Sequence, residues 1–419
     1  MEANLSMQPN RQVLSHPSLW KNKTFKWILL GYIFSVLGDR FHSVAISFWV
    51  LKETGSARLM SIVLLIHISM SLFFGAFAGT IADRTDRRKL MYRMDFIRVL
   101  FVVGIACMLL FPFQEFRFGV IILLISLTAF AGLFQAPASQ ASLINIVGKD
   151  QIQKATGALS FADNIAGITG LSMAGFVVAA LGGASAIFID ALTFLISGLC
   201  VLAAGKFPSP IHQNKERKSF LSDLKEGIQY IFKNRFVRCV ALINPLLILF
   251  YLTSLLLIQV LAVKEWRVSS IEFGMLEACV PLGYMLGAFM IMRIDQRLRK
   301  RGWLILGSMA LLGPLFIAIS FVQSVWVGLF FVLCHGFIFS YCTLLVMVII
   351  RLKVEESIQG RVFATLGSIT SVVPPLGLII APFFADAYSA SSVLGVTGIL
   401  FFIVALCFLL WLKPVRQFE

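Results

Sequence analysis

The sequence predicts an all-α integral membrane protein, with twelve transmembrane helices arranged as two pseudo-symmetric six-helix bundles. Three observations carry that reading. Hydrophobic residues make up 58% of the chain and charged residues only 14%, whereas soluble domains hold about 45–50% and about 25%. The apolar runs are long enough to cross a hydrocarbon core of about 30 Å as helices, and far exceed the roughly 10 residues of a barrel strand. Basic residues gather on alternate loops, as the ends of antiparallel membrane spans require.

The apolar runs lie near 26–50, 59–81, 90–112, 117–145, 156–181 and 184–205, then 236–262, 269–293, 302–322, 325–350, 361–385 and 390–412. The fifth and eleventh are rich in Gly and Pro, which membrane helices tolerate when neighbours satisfy the freed backbone groups. One set of loops holds the N-terminal arm, Arg84 to Arg93, Lys149, Lys154, the 206–238 segment, Arg293 to Arg301, Arg351 to Arg361 and the tail. The opposite set holds Lys52, Arg58, Arg117, Lys264 and Arg267. The positive-inside rule then puts both termini in the cytoplasm of a multi-pass plasma-membrane protein. The net charge of +15 thereby becomes a matter of topology and calls for no nucleic-acid partner. The polar, basic first 26 residues show no apolar core ahead of a cleavage site, so no signal peptide is expected.

The longest polar break sets the domain plan: an N-terminal arm (1–25), a first bundle (26–205), a linker (206–235), a second bundle (236–412) and a tail (413–419). Within the linker, "SFLSDLKEGIQYIFKN" sets Phe220, Leu221, Leu224, Ile228, Ile231 and Phe232 on one helical face. Asp223, Lys225, Glu226, Gln229 and Lys233 fall on the other. Such a helix lies in the cytoplasmic interface or packs on the ends of the spans. The halves echo each other: "KDQIQKATGALS" precedes span five and "EESIQGRVFATLGS" precedes span eleven. A basic loop, Arg297-Leu-Arg-Lys-Arg301, joins spans eight and nine as another joins spans two and three. Repeated halves with a site between them near the midplane are a common transporter design.

Several function classes fall away. The seven cysteines sit in apolar runs without a CxxC pair, and the five histidines are scattered, so neither a disulfide framework nor a metal site is expected. No Walker loop occurs, which argues against ATP hydrolysis. No catalytic cluster stands out, so the chain is not expected to be an enzyme or to carry a cofactor.

The stretch "GAFAGTIADRTDRRKLMYR" concentrates charge between spans two and three. Gly79 allows close helix approach, Asp83 suits the positive end of a neighbouring helix, and Arg84, Arg87, Arg88 and Lys89 are free to pair across the seam between halves. This loop resembles the signature G-x-x-x-D-R/K-x-G-R-R/K of the major facilitator superfamily, with Asp86 where the pattern has Gly. The resemblance implies the twelve-helix major facilitator fold and a conformational latch that contacts the opposite half. A plain topology anchor is the alternative.

A narrower resemblance rests on "LGDRFHSVAISFWVLKETGS", "FQAPASQASLINIV", "KATGALSFADNIAGITG" and "AIFIDALTFLISG". These are similar to the macrolide- and siderophore-exporter branch, and the likeness thins in the C-terminal half. It implies a monomer in the lipid bilayer that exports a small amphipathic, drug-like or siderophore-like compound by alternating access, driven by a proton gradient. The antiporter motif of span five falls here on Gly157, Ala166, Gly170, Leu171, Ala174 and Gly175. Three glycines match and the proline is lost. The family's basic residue in span four is missing. An importer or a lipid or metabolite transporter of the same fold stays open, as does a non-transporting receptor or scaffold.

Ionisable groups at membrane depth are costly and usually face a cavity or a partner. Asp39, midway along span one, is the first candidate for proton coupling or for holding a cation. Glu277 in span eight is the counterpart in the other half. Gln135, Asn164, Asn244, Tyr251 and His335 are candidates for the cavity, with Phe34, Phe134, Phe250 and Phe339 as apolar walls. Asp95 and Arg98, three apart on span three, are placed to pair along one face and support the loop. Asp163 and Asp190 read as structural.

Overall fold

The computed structural model describes residues 19–110, 116–207, 220–294 and 300–416. The first half comprises α1 (Lys23–Thr54), α2 (Ala57–Arg84), α3 (Arg87–Leu110), α4 (Arg117–Gly132), α5 (Gln135–Val147), α6 (Ile152–Leu181) and α7 (Gly183–Ala203). After α8 (Phe220–Lys233) the second half comprises α9 (Arg235–Lys264), α10 (Ser270–Ile294), α11 (Arg301–Ser320) and α12 (Val325–Lys353). It ends with α13 (Glu356–Val372), α14 (Pro374–Ala387), α15 (Ala390–Trp411) and α16 (Lys413–Arg416). No strand occurs among the described residues.

Ten passages among the described residues are long and apolar enough to cross a membrane, counting α4–α5 and α13–α14 once each. The two remaining long helices are α1 and α3, which carry Asp39 with Arg40 and Asp95 with Arg98. Together they match the twelve spans the sequence predicts. Two spans break where proline intervenes. Pro137 lies in the first turn of α5, so its ring and missing N–H work against a bond to Leu133 and the helix restarts. Pro374 and Pro375 open α14, where a missing N–H costs nothing.

Within each half, small residues let helices approach closely. A Cβ on Gly336 of α12 would fall 2.1 Å from the carbonyl oxygen of Val280 on α10. The α8 helix packs against α13 and α9, which favours the second reading of the linker. Gly227 seats against Thr365, Ile231 is buried, and Glu226 pairs with Arg361. Residues 208–219 of the linker, the side chains of Phe220, Leu221, Asp223 and Leu224, and residues 297–299 of the basic loop fall outside the described set.

The seam between the halves is asymmetric. The end of the bundle carrying the 84–89 loop is called the basic end here. At the opposite end the halves meet through α6 and α10, and through α14 and α2. Gly175 and Gly274 touch there backbone to backbone: a Cβ on Gly175 would fall 2.5 Å from the Ser270 oxygen, and one on Gly274 would fall 2.7 Å from the Leu171 oxygen. Toward the basic end, Gly79 on α2, Gly157 on α6 and Gly360 on α13 have no described atom within 4 Å of a Cβ position. The molecule is closed at the opposite end and open at the basic end.

Candidate functional site

A chamber of about 550 Å³ opens inside the first half, lined by side chains from α1 to α7. Its floor is a polar network. Arg98 on α3 pairs with Asp39 on α1, and the guanidinium carbon stands 3.6 Å over the Phe194 ring centroid. Arg98 is nearly buried while the Asp39 side chain keeps 47% of its surface exposed to the chamber. The expected Asp95–Arg98 pair along one face is therefore replaced by partners on other helices. Buried Asp95 accepts from Gln135 Nε2 at 3.0 and 3.1 Å and from Ser197 Oγ at 2.8 Å. Helical spacing alone favoured the i,i+3 pair, but α1, α5 and α7 bring better-placed groups. The break after α4 sets Gln135 at the start of α5, where it reaches Asp95.

Two further acid–base contacts line the chamber. Arg40 lies 3.6 Å from Asp163 on α6, and the Tyr32 hydroxyl donates to the same carboxylate at 3.5 Å. His42 Nδ1 lies 3.0 Å from Asp190 Oδ2 on α7.

Arg40 and Asp163 also line a second cavity of about 470 Å³, which reaches into the other half. Its far wall is different in character. Tyr251 stacks on Phe339 at a centroid distance of 3.6 Å, and Tyr284, Leu255, Ile258 and Val332 complete it. One carboxylate, Glu277, stands in this wall and accepts from Gln259 Nε2 at 2.8 Å. Asn164 borders the same cavity while donating to the Ser160 carbonyl.

Of the remaining candidates, half-buried Asn244 lines neither cavity. His335 is wholly buried, packed between Tyr251 and Phe316, and its ring nitrogens have no hydrogen-bond partner among the described residues. It stiffens the aromatic wall from behind. Phe339 is the one phenylalanine of the expected apolar walls that borders these cavities. Phe250 instead stacks on Phe401, and Phe134 is buried beside Phe130.

A family profile described as transmembrane secretion effector matches residues 15–419. The chain belongs to that family. Macrolide efflux protein A of Streptococcus pyogenes is 23% identical over 390 residues, spanning 92% of this chain and 95% of the relative. The multidrug efflux pump Tap of Mycobacterium tuberculosis is 24% identical over 383 residues, spanning 86% of each. Among solved structures, a bacterial homolog of the human lysosomal transporter Spinster, inward-facing and unoccupied, superposes with a TM-score of 0.72 at 13% identity. That match covers 94% of this chain and 97% of the other. The nucleoside transporter NupG superposes with a TM-score of 0.71 at 13% identity, over 95% and 100%. With the family match, these likenesses give the chain the major facilitator fold of a multi-pass membrane transporter.

In the signature loop, the bonds that Arg87, Arg88 and Asp86 make among the described residues lie within the first half. Arg87 donates to the Ala141 carbonyl at 2.7 Å and lies 3.7 Å from Asp83. Arg88 donates to the carbonyls of Val201 and Leu202. Asp86, at the Gly position of the pattern, caps α3 by accepting from the Lys89 amide at 3.1 Å. Arg84 is exposed. The pairing of Arg87 and Arg88 across the seam that their sequence position suggests is not what they make in this state, because the halves are apart at this end. Gly79, expected at a close helix approach, faces open space for the same reason.

The three glycines of span five divide in the same way. Gly175 meets the other half, a Cβ on Gly170 would fall 3.0 Å from Arg40 Cβ, and Gly157 faces space.

Sequence reasoning passed over Asp386, which does cross the seam. Its carboxylate accepts from Ser56 Oγ at 2.8 Å, from the Ala57 and Arg58 amides at 2.7 and 3.1 Å, and from Arg58 Nε at 3.1 Å. Lys264 Nζ adds a contact at 3.4 Å. A carboxylate on the first amides of α2 meets the positive end of that helix. The available signal was its isolation: Asp386 is the single acidic residue between Glu356 and Glu419.

Proposed function

We propose that the protein is a proton-coupled exporter of amphipathic, drug-like compounds, with macrolides as the first class to test and siderophore-like molecules as the second. Alternating access moves the two halves around the shared cavity. With the basic loops and both termini in the cytoplasm of the plasma membrane, the state described is the one open to the cytoplasm, ready to load. The observation that carries this reading is the cavity itself: ion-paired and polar on the first half, aromatic on the second, with Glu277 the carboxylate in the aromatic wall. Such a surface suits a bulky apolar body bearing a basic group. The efflux names of relatives at 23–24% identity support the outward direction.

In this scheme Glu277 and Tyr251 hold the substrate and Asn164 borders it. Asp39 lines the adjoining first-half chamber, which shares Arg40 and Asp163 with that cavity. Gly170 and Gly175 are the close-packing surface of span five, which Gly157 joins when the basic end closes. Asp83, Arg84, Arg87, Arg88 and Lys89 engage the second half when the basic end closes.

Everted membrane vesicles with an imposed pH gradient test the proposal. Radiolabelled macrolide is expected to accumulate only when the lumen is acidic. Glu277→Gln is expected to raise the half-saturating concentration about tenfold, since one hydrogen bond to a charged group is worth about 1.5 kcal/mol. Accumulation in the reverse orientation only would make the protein an importer. No gradient dependence would remove the proton from the scheme.

A further inference from the structure

The polar floor of the first-half chamber holds three carboxylates and a single permanently charged cation. Asp39, Asp95 and Asp190 face one guanidinium, Arg98, and two imidazoles, His42 and His67. Arg98 is taken by Asp39. Asp95 accepts three hydrogen bonds from neutral donors. Asp190 is left with one side-chain partner among the described residues. Its side chain is 0% exposed, Oδ2 meets His42, and Oδ1 has no partner among the described residues. The carboxylate sits against Gly38, where any Cβ would fall 2.5 Å from Oδ1 and 1.9 Å from Thr193 Oγ1. A side chain at position 38 would displace the acid, so the pocket fits a carboxylate next to a glycine.

A carboxylate buried this deeply beside a neutral imidazole leaves an uncompensated charge, which is expensive in a dry interior. Two arrangements avoid that cost. Either His42 is protonated and pairs with Asp190, or Asp190 is protonated and both groups are neutral. Each holds one proton more than the costly form. From the geometry we infer that the His42–Asp190 pair is the proton-carrying site of the transport cycle, and that Arg98 links it to the substrate cavity. The inference rests on the proton-coupled reading above and names the site within it.

The link follows from what surrounds the pair. Asp39 and Arg40 come from α1, His67 from α2, Asp95 and Arg98 from α3 and Asp163 from α6. Gln135 on α5 is neutral, and Gln259 and Glu277 lie beyond Arg40 in the second cavity. Arg98 and Asp39 are both within electrostatic reach of Asp190, and Arg98 is the one guanidinium among the groups nearest to it. When the proton leaves to water in the open cavity, Asp190 keeps the electron pair and its negative charge. Arg98 then swings from Asp39 toward it. Asp39, half-exposed to the cavity, is freed to take a cationic group of the substrate. One proton out therefore prepares one positive charge in, which is the exchange an antiporter needs.

The test needs no substrate. The full chain, reconstituted in lipid, is titrated by infrared spectroscopy, reading both the carbonyl stretch of protonated carboxyls and the ring stretch of protonated imidazole, so that either loaded form of the pair is seen. One titrating component is expected to vanish in Asp190→Asn. In His42→Gln its midpoint is expected to move by about one pH unit or more, as loss of a directly bonded partner does. Asp386→Asn, at the far clasp, is expected to leave that component in place. A spectrum unchanged by Asp190→Asn, or a midpoint unmoved by His42→Gln, overturns the assignment. If Asp190→Asn does not give a monodisperse protein, His42→Gln decides the matter alone. Failure of macrolide transport in the vesicle assay would sink the proposed substrate class and leave this titration as it stands.

Discussion

Asp83 and Asp386 lie at the C-terminal ends of α2 and α14, two helices that pack against each other across the seam. They sit at opposite ends of that pairing and do different things. Asp386 crosses to the other half and collects hydrogen bonds from two backbone amides and two side chains, with Lys264 alongside. Only 8% of its side chain is exposed. Asp83 has 37% exposure and lies 3.7 Å from Arg87 of its own loop. Charge density does not decide which end is shut, since the basic loop is far richer in charge. What matters is whether a carboxylate is desolvated against the first amides of a helix in the other half, where its bonds are strong, or pairs at a partly exposed surface as Asp83 does with Arg87, where a pair is worth little. The small residues follow the same division: Gly175 touches the far half while Gly157 faces space.

The largest expected effect comes from spoiling the closed end. Gly175→Leu forces side-chain atoms into the backbone of α10. Overpacking costs about 1–3 kcal/mol, equivalent to a shift of roughly 5–150-fold between two states. Spin labels at Glu53 and Tyr388 are expected to separate, and substrate efflux to fall with them. An unchanged distance would mean that the α6–α10 contact does not hold that end shut.

Asp386→Asn is the intermediate case. It keeps the shape of the clasp and removes its charge. Population of the state open at the basic end is expected to drop about tenfold, because hydrogen bonds to a charged group are worth about 1.5 kcal/mol or more. The same label pair reads it, and added salt is expected to narrow the gap between variant and wild type by screening the exposed Arg58. A larger loss for Asp386→Asn than for Gly175→Leu would reverse the ranking of clasp and backbone contact.

The smallest effect in this state is expected for Arg87→Ala. Its charge-assisted bond to the Ala141 carbonyl is worth about 1.5 kcal/mol but lies within the first half, so it does not bear on the seam. Labels at Thr85 and Gly360 are expected to keep their distance while the first bundle loses a little thermal stability. A changed distance would show that the loop already bridges the halves.

Much of the membrane architecture was legible because lipid imposes it. Long apolar runs, charged loops and the polar linker follow from a solvent that cannot hydrogen-bond the backbone. The proline breaks before α5 and α14 stand in the sequence as Pro137 and Pro374. The site was only half legible. Asp39, Gln135 and Glu277 stood out as polar groups at depth, and each lines a cavity. Their partners did not. Asp39 called for a partner in another span without saying which, and that partner is Arg98 of α3; Asp190, read as structural, meets His42 of α1. The Asp95–Arg98 pair was drawn from spacing along one helix, and spacing says nothing about what another helix brings closer.

The sequence by itself determined the solvent, the spans, the loop signature and the residues costly enough at membrane depth to need a reason. Those are one-dimensional properties: apolar length, charge position and spacing. Only the tertiary structure decided which charges neutralise each other, which end of the seam is shut and which helix brings each buried carboxylate its partner. Helices distant along the chain meet through side-chain geometry, and an ion pair depends on a few ångströms that no local pattern records.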